Sequence, residues 1–287
     1  MHQFLAEEGI EMAWIFVGGS QRSGTSIMQQ LLCQSPLANS YVYEASYLRM
    51  QLSVYRDARS SFNGNMSSYF RDEAGLRNFS SLVVRAFLEH SKVHLGGHDH
   101  LILKEPHLTQ FWPELYELVP ESVFLLMVRD PRDVIASMVA VGEKQKQAGQ
   151  RYLFTQRDIP ALCEHMISFY APVLNIEDPG FRDRLAIVLY ENLVQQPRQA
   201  LKEISGFTGI DFESIDETAS PDTGAVRTDW IHQSALYSPW ATEVSGQKVS
   251  DSRVGNYRTI LTPSEIAQVE EICEPFFEWF RYDRCAE

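Results

Sequence analysis

One stretch decides the fold of this 287-residue chain: Trp14-Ile15-Phe16-Val17-Gly18-Gly19-Ser20-Gln21-Arg22-Ser23-Gly24-Thr25-Ser26. Its first four residues are a short, continuous apolar run, which is typical of a buried strand in a parallel sheet. A helical pattern follows, so the stretch predicts a strand, a loop and a helix. Successive N–H groups of such a loop and the unpaired donors at the helix N-terminus favour a bound anion. Gly19 and Gly24 allow positive φ and a close approach of the ligand, and Thr25 and Ser26 add hydroxyl donors.

The cation of this loop has an unusual position. The spacing from Gly19 to Gly24 matches a mononucleotide P-loop, but the next residue is Thr25. A P-loop has a lysine there, which holds the β- and γ-phosphates. Here the cation is Arg22, inside the loop, and an arginine can contact a terminal anionic group with two N–H donors. The pattern argues against an ordinary kinase or GTPase.

The rest of the chain alternates strand and helix patterns. Further buried strands are predicted at Leu101–Leu103, Val123–Val128 and Leu185–Leu189. Helices are predicted at Thr25–Cys33, Leu76–His90, Pro131–Val141, Asp158–Leu174, Pro197–Phe207 and from Thr262 to about Phe280. This alternation predicts an α/β fold, a three-layer sandwich with a central parallel sheet. Two stretches lack a regular pattern and are expected to be loops or lids: Tyr55–Asp72 and Ile215–Ser252.

Composition narrows the class of protein. The net charge of −13 argues against a nucleic-acid-binding surface or a general attraction to anionic membranes. No stretch approaches the ~20 apolar residues that span a bilayer, and the N-terminal residues do not resemble a signal peptide. The four cysteines (Cys33, Cys163, Cys273 and Cys285) are scattered, which favours reduced thiols. We therefore expect a soluble, cytoplasmic protein without a membrane span.

A second candidate anion site follows the third predicted strand, at Arg129-Asp130-Pro131-Arg132-Asp133. Pro131 pre-sets the start of a helix, and Ser137 lies about two turns into it. Arg129 would lie at the carboxyl edge of the sheet, where α/β folds bind ligands. Taken alone, the segment could equally be an Arg–Asp cluster that only caps the helix.

Together these segments resemble the sulfotransferases that use 3′-phosphoadenosine-5′-phosphosulfate (PAPS). Gln21-Arg22-Ser23-Gly24-Thr25-Ser26 is similar to the family's 5′-phosphosulfate motif. Arg129 and Ser137 are similar to the arginine and serine that bind the 3′-phosphate in that family. Tyr190-Glu191-Asn192-Leu193 looks like the family's Tyr-Glu-(Asp/Asn)-Leu segment, whose tyrosine lies near the nucleotide.

A fourth similar element lies near the C-terminus. Val254-Gly255-Asn256-Tyr257-Arg258 looks like the family's Gly-x-Trp-(Lys/Arg) element, with Tyr257 in place of the tryptophan. The small-molecule enzymes carry Arg-Lys-Gly shortly before it, where this chain has Ser250-Asp251-Ser252. We expect this part of the 3′-phosphate site to be built differently, with Ser252 as a hydroxyl donor. Arg22 also resembles one branch of the family, which contains bacterial and tyrosylprotein sulfotransferases and has arginine rather than lysine in the first loop.

The resemblance implies a P-loop-like sulfotransferase fold, with residues 1–287 as a single domain. It implies transfer of a sulfuryl group from PAPS to a hydroxyl acceptor, release of adenosine 3′,5′-bisphosphate (PAP), and no metal requirement. Arg22 and Lys104 would stabilise the leaving phosphate. Glu44 is the first candidate for the base that takes the acceptor's proton, and His107 is the alternative.

The acceptor is left open: a small molecule, a saccharide, a carrier-bound chain or a peptide tyrosine. Its specificity is expected in the irregular stretches Ser46–Asp72 and Arg227–Val249. Their aromatic residues could line a pocket or belong to the core: Tyr47, Tyr55, Tyr69, Trp230, Tyr237 and Trp240. Two other functions are alternatives to sulfuryl transfer. One is a P-loop small-molecule kinase that uses ATP and magnesium, and the other is a non-catalytic nucleotide-binding module.

Overall fold

A parallel sheet forms the centre of the computed structural model, which describes residues 13–216, 238–240 and 249–284. Its strands are β1 (Ala13–Gly18), β2 (His100–Lys104), β3 (Val123–Val128) and β4 (Leu185–Leu189). Their order across the sheet is β2-β1-β3-β4, and all pairings are parallel. All four predicted strands are present, with β1 and β2 one residue longer at each end, but β4 is not buried as predicted: it lies at the edge of the sheet, and Ile187 is exposed.

Helices surround this sheet. In the described ranges they are α1 (Thr25–Leu32), α2 (Ser46–Ser60), α3 (Glu73–His94), α4 (Trp112–Leu118), α5 (Pro131–Gln147), α6 (Ile159–Leu174), α7 (Pro179–Arg182), α8 (Tyr190–Gln195), α9 (Pro197–Thr208), α10 (Tyr257–Ile260), α11 (Pro263–Ile272) and α12 (Glu274–Phe280). None of these helices combines the length and the apolar character that crossing a bilayer requires.

Alternate residues of β1 belong to two different cores. Trp14 and Phe16 face the core built with α2 to α6, α11 and α12. Ile15 and Val17 face the core built with α1, α8 and α9. This follows from the period of two in a strand, which turns successive side chains to opposite faces of the sheet. Both faces are covered by helices, so the predicted three-layer α/β sandwich is confirmed.

The strand order brings two loops to one edge of the sheet. β1 pairs with β2 on one side and with β3 on the other, and Gly18 pairs with Leu126 in register. The segments that follow β1 and β3 therefore leave the sheet side by side, at the kind of switch point where open α/β sheets bind ligands.

The expectation of an irregular stretch from Ser46 is wrong at its start, because α2 continues to Ser60. Leu48, Leu52 and Tyr55 are buried at helical spacing along one face of α2. The polar residues between them obscure this pattern in the sequence. Packing against the core decides the conformation.

The final helix is also not continuous as predicted. Its start is confirmed, with a capping box between Thr262 and Glu265. However, α11 ends at Ile272 and α12 begins at Glu274. Pro275 has no N–H to continue the helical ladder, which explains the interruption. Most of the other irregular stretch, Ile215–Ser252, lies outside the described residues, as do Trp230 and Tyr237.

Candidate active site

The loop between β1 and α1 has the backbone that its glycines predict. Gly19 has φ 133° and Gly24 has φ 102°, in the region that residues with a side chain rarely adopt. A Cβ atom at Gly24 would lie 2.5 Å from the ring of Tyr190. Glycine is therefore needed at this position both for its φ angle and for the close approach of the tyrosine. Arg22 also has a positive φ, 72°.

Side chains from other elements hold the start of the loop. The N–H of Gly19 donates to Oγ1 of Thr109 over 2.8 Å. The N–H of Ser20 donates to the hydroxyl of Tyr170 over 3.2 Å, and this hydroxyl donates to the carbonyl of Met127 over 3.0 Å. Tyr170 is fully buried on α6. The loop is therefore tied to β3 and α6 by buried hydrogen bonds that do not depend on a ligand.

A cavity of about 350 Å³ adjoins the loop. Its volume is in the size range of small-molecule sites, roughly 300–1,000 Å³. It is walled by the start of α1, by one face of α5 and by the segment before α10. Among the described residues, its lining includes four cations: Arg22, Arg129, Lys144 and Arg253. A cavity lined in this way by arginines, a lysine and a helix N-terminus suits an anion with more than one charged group.

Arg129 is the most buried of these cations, at 7% exposure. Its Nη1 donates to the carbonyl of Arg22 over 3.2 Å, and its Nη2 donates to the carbonyl of Arg253 over 2.7 Å. The guanidinium lies 4.3 Å from the centre of the Tyr190 ring. Its Nε is buried and finds no acceptor among the described residues. Arg129 therefore borders the cavity with a donor that no described residue satisfies.

Arg22 connects the two predicted anion motifs. Its Nε donates to Oγ of Ser137 over 3.1 Å, and its Nη1 donates to the carbonyl of Trp240 over 3.3 Å. Burial, together with the positive charges of Arg129 and Arg253, lowers the pKa of Arg22 to about 10. Arg22 is still cationic at neutral pH, in a group of like charges that an anionic ligand would stabilise.

Asp133 ties the C-terminal segment to the cavity. Its carboxylate accepts the N–H of Gly255 over 2.7 Å and the N–H of Tyr257 over 2.9 Å. It also lies 3.8 Å from Nη2 of Arg129. Burial raises the pKa of Asp133, while Arg129 and the two backbone donors oppose this rise. The same contacts keep Arg253, two residues before Gly255, at the cavity wall.

Glu44 and Lys104 meet at the end of β2. The N–H of Ala45 donates to the carbonyl of Lys104 over 3.0 Å, which sets the two chain segments side by side. Nζ of Lys104 then lies 3.2 Å from Oε1 of Glu44. Lys104 is buried, whereas the side chain of Glu44 is about half exposed. The carboxylate of Glu44 is therefore accessible from solvent.

His107 begins the 3₁₀ turn His107–Phe111, three residues after the end of β2. Burial lowers the pKa of His107, and the negative charge of Glu44 opposes that shift. The neighbouring Glu105 is buried, accepts a hydrogen bond from Ser46 over 2.8 Å, and has its pKa raised by burial and then by Glu44. The two candidates for the base, Glu44 and His107, therefore interact electrostatically.

Seven of the thirteen predicted site residues line the cavity, and six lie outside its lining: Gln21, Ser23, Glu44, Lys104, His107 and Ser252. Those at its lining are Arg22, Gly24, Thr25, Ser26, Arg129, Ser137 and Tyr190. The hydroxyl of Ser23 donates instead to the carbonyl of Ser20 over 2.7 Å. Ser252 is exposed and outside the lining, and its neighbour Arg253 occupies the wall.

Two cations of the cavity were missed in the sequence. Arg253 stands two residues before Gly255, close to where the family pattern has Arg-Lys-Gly, and a shift of the comparison by a few residues would have found it. Lys144 lies seven residues after Ser137 on the same face of α5, so helical spacing could have indicated it.

The aromatic residues proposed for the acceptor pocket divide between surface, core and cavity. Tyr55 is buried in the core, while Tyr47 and Tyr69 are exposed. Trp240 lines the cavity and packs edge-on against the ring of Tyr152, with ring centres 5.1 Å apart.

Known proteins resemble this chain in sequence. A model of the sulfotransferase family matches residues 15–214. Protein-tyrosine sulfotransferase 2 of Gallus gallus is 32% identical over 203 residues, which cover 70% of this chain and 52% of that protein. A putative protein-tyrosine sulfotransferase of Caenorhabditis briggsae is 26% identical over 201 residues, covering 69% of this chain and 66% of that protein. The chain thus spans between half and two thirds of the length of these relatives.

A solved structure agrees with the fold. The sulfotransferase domain from the curacin biosynthetic pathway superposes with a TM-score of 0.56 at 17% sequence identity, covering 96% of this chain and 99% of that chain. At this level of identity the likeness concerns the fold alone.

Proposed function

This chain belongs to the sulfotransferase family, and from that membership we propose that it transfers a sulfuryl group from PAPS to a hydroxyl acceptor and releases PAP. The bond from sulfur to the 5′-phosphate breaks as the bond from sulfur to the acceptor oxygen forms. The electron pair leaves with PAP, and a base takes the acceptor's proton. One observation carries the proposal: Arg22, Arg129, Arg253 and Lys144 converge on one cavity beneath the N-terminus of α1.

The contents of the cavity fit a donor with two anionic ends. The loop and α1 offer N–H groups and the hydroxyls of Thr25 and Ser26 for the 5′-phosphosulfate. Arg129 keeps a buried, unpartnered Nε for a second anion, which supports its assignment to the 3′-phosphate together with Ser137. Tyr190 borders the same cavity. We assign Arg253 to the position where the sequence suggested Ser252.

The cavity also supports the proposal that residues 1–287 form one sulfotransferase domain, because its lining runs from Arg22 to Ile260. The cytoplasmic location stays a prediction from the sequence.

The mechanism we propose is an in-line displacement in which positioning and electrostatics do most of the work. Arg22 and the N–H groups of the loop stabilise the charge that develops on the leaving 5′-phosphate. Lys104 is buried outside the cavity lining, so in place of the predicted contact with the leaving phosphate we assign it the orientation of Glu44 through their 3.2 Å ion pair. Glu44 takes the acceptor's proton, because its carboxylate is reachable and held by a cation.

A direct comparison of two variants tests the assignment of the base. Glu44→Gln should lower kcat by about 10²-fold or more, because general-base catalysis typically contributes 10²- to 10⁴-fold. His107→Asn should have a smaller effect. The measurement is kcat and kcat/KM from pH 5 to 9 for both variants and the wild type.

The opposite result would assign the base to His107. Burial lowers the His107 pKa from 6.5, so its neutral form, which can accept a proton, persists below pH 6.5. A base at His107 would therefore give an acid limb of kcat/KM below pH 6.5 that disappears in His107→Asn.

Calorimetry tests the donor. PAP should bind tightly in the presence of EDTA, and ATP with magnesium should bind weakly. The reverse order would favour the kinase. PAP binding without PAPS turnover on any acceptor would favour a non-catalytic nucleotide-binding module.

The first acceptor to test is a peptide tyrosine, because a relative at 32% identity is named a protein-tyrosine sulfotransferase. Mass spectrometry would detect a PAPS-dependent sulfated peptide, with a phenylalanine peptide as the matched control. Small-molecule, saccharide and carrier-bound hydroxyls form the second panel.

A further inference from the structure

A hydrogen-bonded cluster adjoins the anion loop at Gln21, and the mechanism above uses none of these contacts. The side-chain oxygen of Gln21 lies 2.9 Å from Nε2 of His165 on α6. The hydroxyl of Tyr152 donates to the same oxygen over 3.3 Å. Neither His165 nor Tyr152 belongs to a motif that the sequence analysis identifies.

The partners of His165 indicate which of its nitrogens carries the proton. An amide oxygen only accepts hydrogen bonds, so Nε2 of His165 is the N–H donor toward Gln21. Burial lowers the pKa of His165, and the neighbouring His107 lowers it further. His165 is therefore a neutral imidazole at neutral pH, and its single N–H is directed to the loop.

Two donors on one oxygen fix the plane of the Gln21 amide. The amide nitrogen at its other end makes no hydrogen bond within the described ranges, so its two N–H donors have no protein partner there. Gln21 stands between Ser20, which is anchored by Tyr170, and Arg22. Because His165 and Tyr170 are both on α6, this helix holds two successive residues of the loop.

The ring of His165 also lies beside the alternative base. The ring centres of His107 and His165 are 6.3 Å apart, with an angle of 60° between the planes. Both rings pack against Phe169, at centre distances of 5.0 and 5.1 Å. His165 therefore contacts both Gln21 of the anion loop and His107, the alternative base.

We propose that His165 is a positioning residue for sulfuryl transfer, acting through Gln21. Together with Tyr152 it holds the Gln21 amide so that the amide N–H groups donate to the sulfuryl oxygens, where negative charge is redistributed during transfer. This inference rests on the proposed function, because it assigns a role within the same reaction. Its consequence is a loss in kcat rather than in nucleotide affinity.

Three substitutions separate the hydrogen bond from the packing. His165→Phe keeps a ring between Phe154 and Phe169 but removes the donor, and we expect kcat to fall about tenfold while the Kd for PAP changes less than about twofold. His165→Gln keeps an N–H donor at similar reach and should retain kcat within about threefold of wild type. His94→Phe, at an exposed histidine far along α3, is the matched control and should leave kcat unchanged.

A double-mutant cycle with Gln21→Met tests whether His165 acts through Gln21. If it does, His165→Phe should lower kcat less than about twofold further in the Gln21→Met background, because the oxygen that it holds is gone. Full additivity of the two losses would overturn the proposal, since His165 would then act by packing alone.

Other outcomes are equally decisive. A wild-type kcat in His165→Phe, or equal losses in kcat and in PAP affinity, would overturn this inference and leave the proposed function standing. An absence of PAPS turnover in the wild-type protein would instead refute the proposed function, and this inference with it. If His165→Phe does not fold, Tyr152→Phe in the same cycle provides the test, because it removes the second donor to Gln21.

Discussion

Replacing Arg22 with alanine should lower kcat for sulfuryl transfer by about 10²- to 10³-fold, the loss typical of removing one preorganised donor to a developing charge. Arg22 lies in the cavity with its Nε on Ser137, so its guanidinium is already oriented. Burial and the neighbouring arginines lower its pKa, which means that they disfavour its positive charge. A bound anion would offset this cost, because it stabilises the charge of the guanidinium. Steady-state kinetics with PAPS, together with calorimetry of PAP, would measure both effects.

The design needs a control for backbone strain, because Arg22 has a positive φ. Arg157→Ala is the matched control: Arg157 also has a positive φ, 51°, but lies outside the cavity lining and pairs with Glu265. We expect its kcat to stay near wild type. Arg22→Lys should recover only part of the loss, because lysine cannot present two N–H donors in a fork. Near-wild-type turnover in a folded Arg22→Ala protein would remove Arg22 from the mechanism.

Replacing Arg129 with alanine should weaken PAP binding by about 100-fold, since losing one partner of a buried, charge-assisted contact costs about 2–5 kcal/mol. The same change should weaken AMP binding much less, because AMP lacks the 3′-phosphate. The measurement is the Kd of both ligands for both proteins. The difference between the two ligands isolates the 3′-phosphate contact from any general loosening of the cavity.

Arg129 also supports the backbone, through the carbonyls of Arg22 and Arg253. If PAP and AMP lose affinity equally, the residue organises the cavity and does not bind the 3′-phosphate. Ser137→Ala is the companion variant. It should also weaken PAP binding more than AMP binding, but by a smaller factor, since it removes a single neutral hydroxyl.

Much of the fold was predictable because each strand is a short, continuous apolar run that can be recognised locally in the sequence. Val123–Val128 is apolar throughout and is buried on both faces of the sheet. Local chemistry also places the end of β1 and the start of α1, where glycines with positive φ are required. The prediction failed where a polar surface hides the spacing, as in α2, whose buried face is only Leu48, Leu52 and Tyr55.

The candidate site divides in the same way. Arg22, Arg129 and Tyr190 are each in a short segment with its own pattern, so each could be named from the sequence. Their meeting in one cavity depends on the order β2-β1-β3-β4, which places the loops after β1 and β3 next to each other.

The sequence by itself determined the strand–loop–helix around Gly19 and Gly24, the arginine in that loop, and the family resemblance, because these depend on residues a few positions apart. Only the tertiary structure decided that Arg253 stands at the cavity wall, where Ser252 was expected, and that His165 contacts Gln21. The reason is physical: residues 144 positions apart meet only when α6 packs against the sheet, and no local pattern encodes that packing.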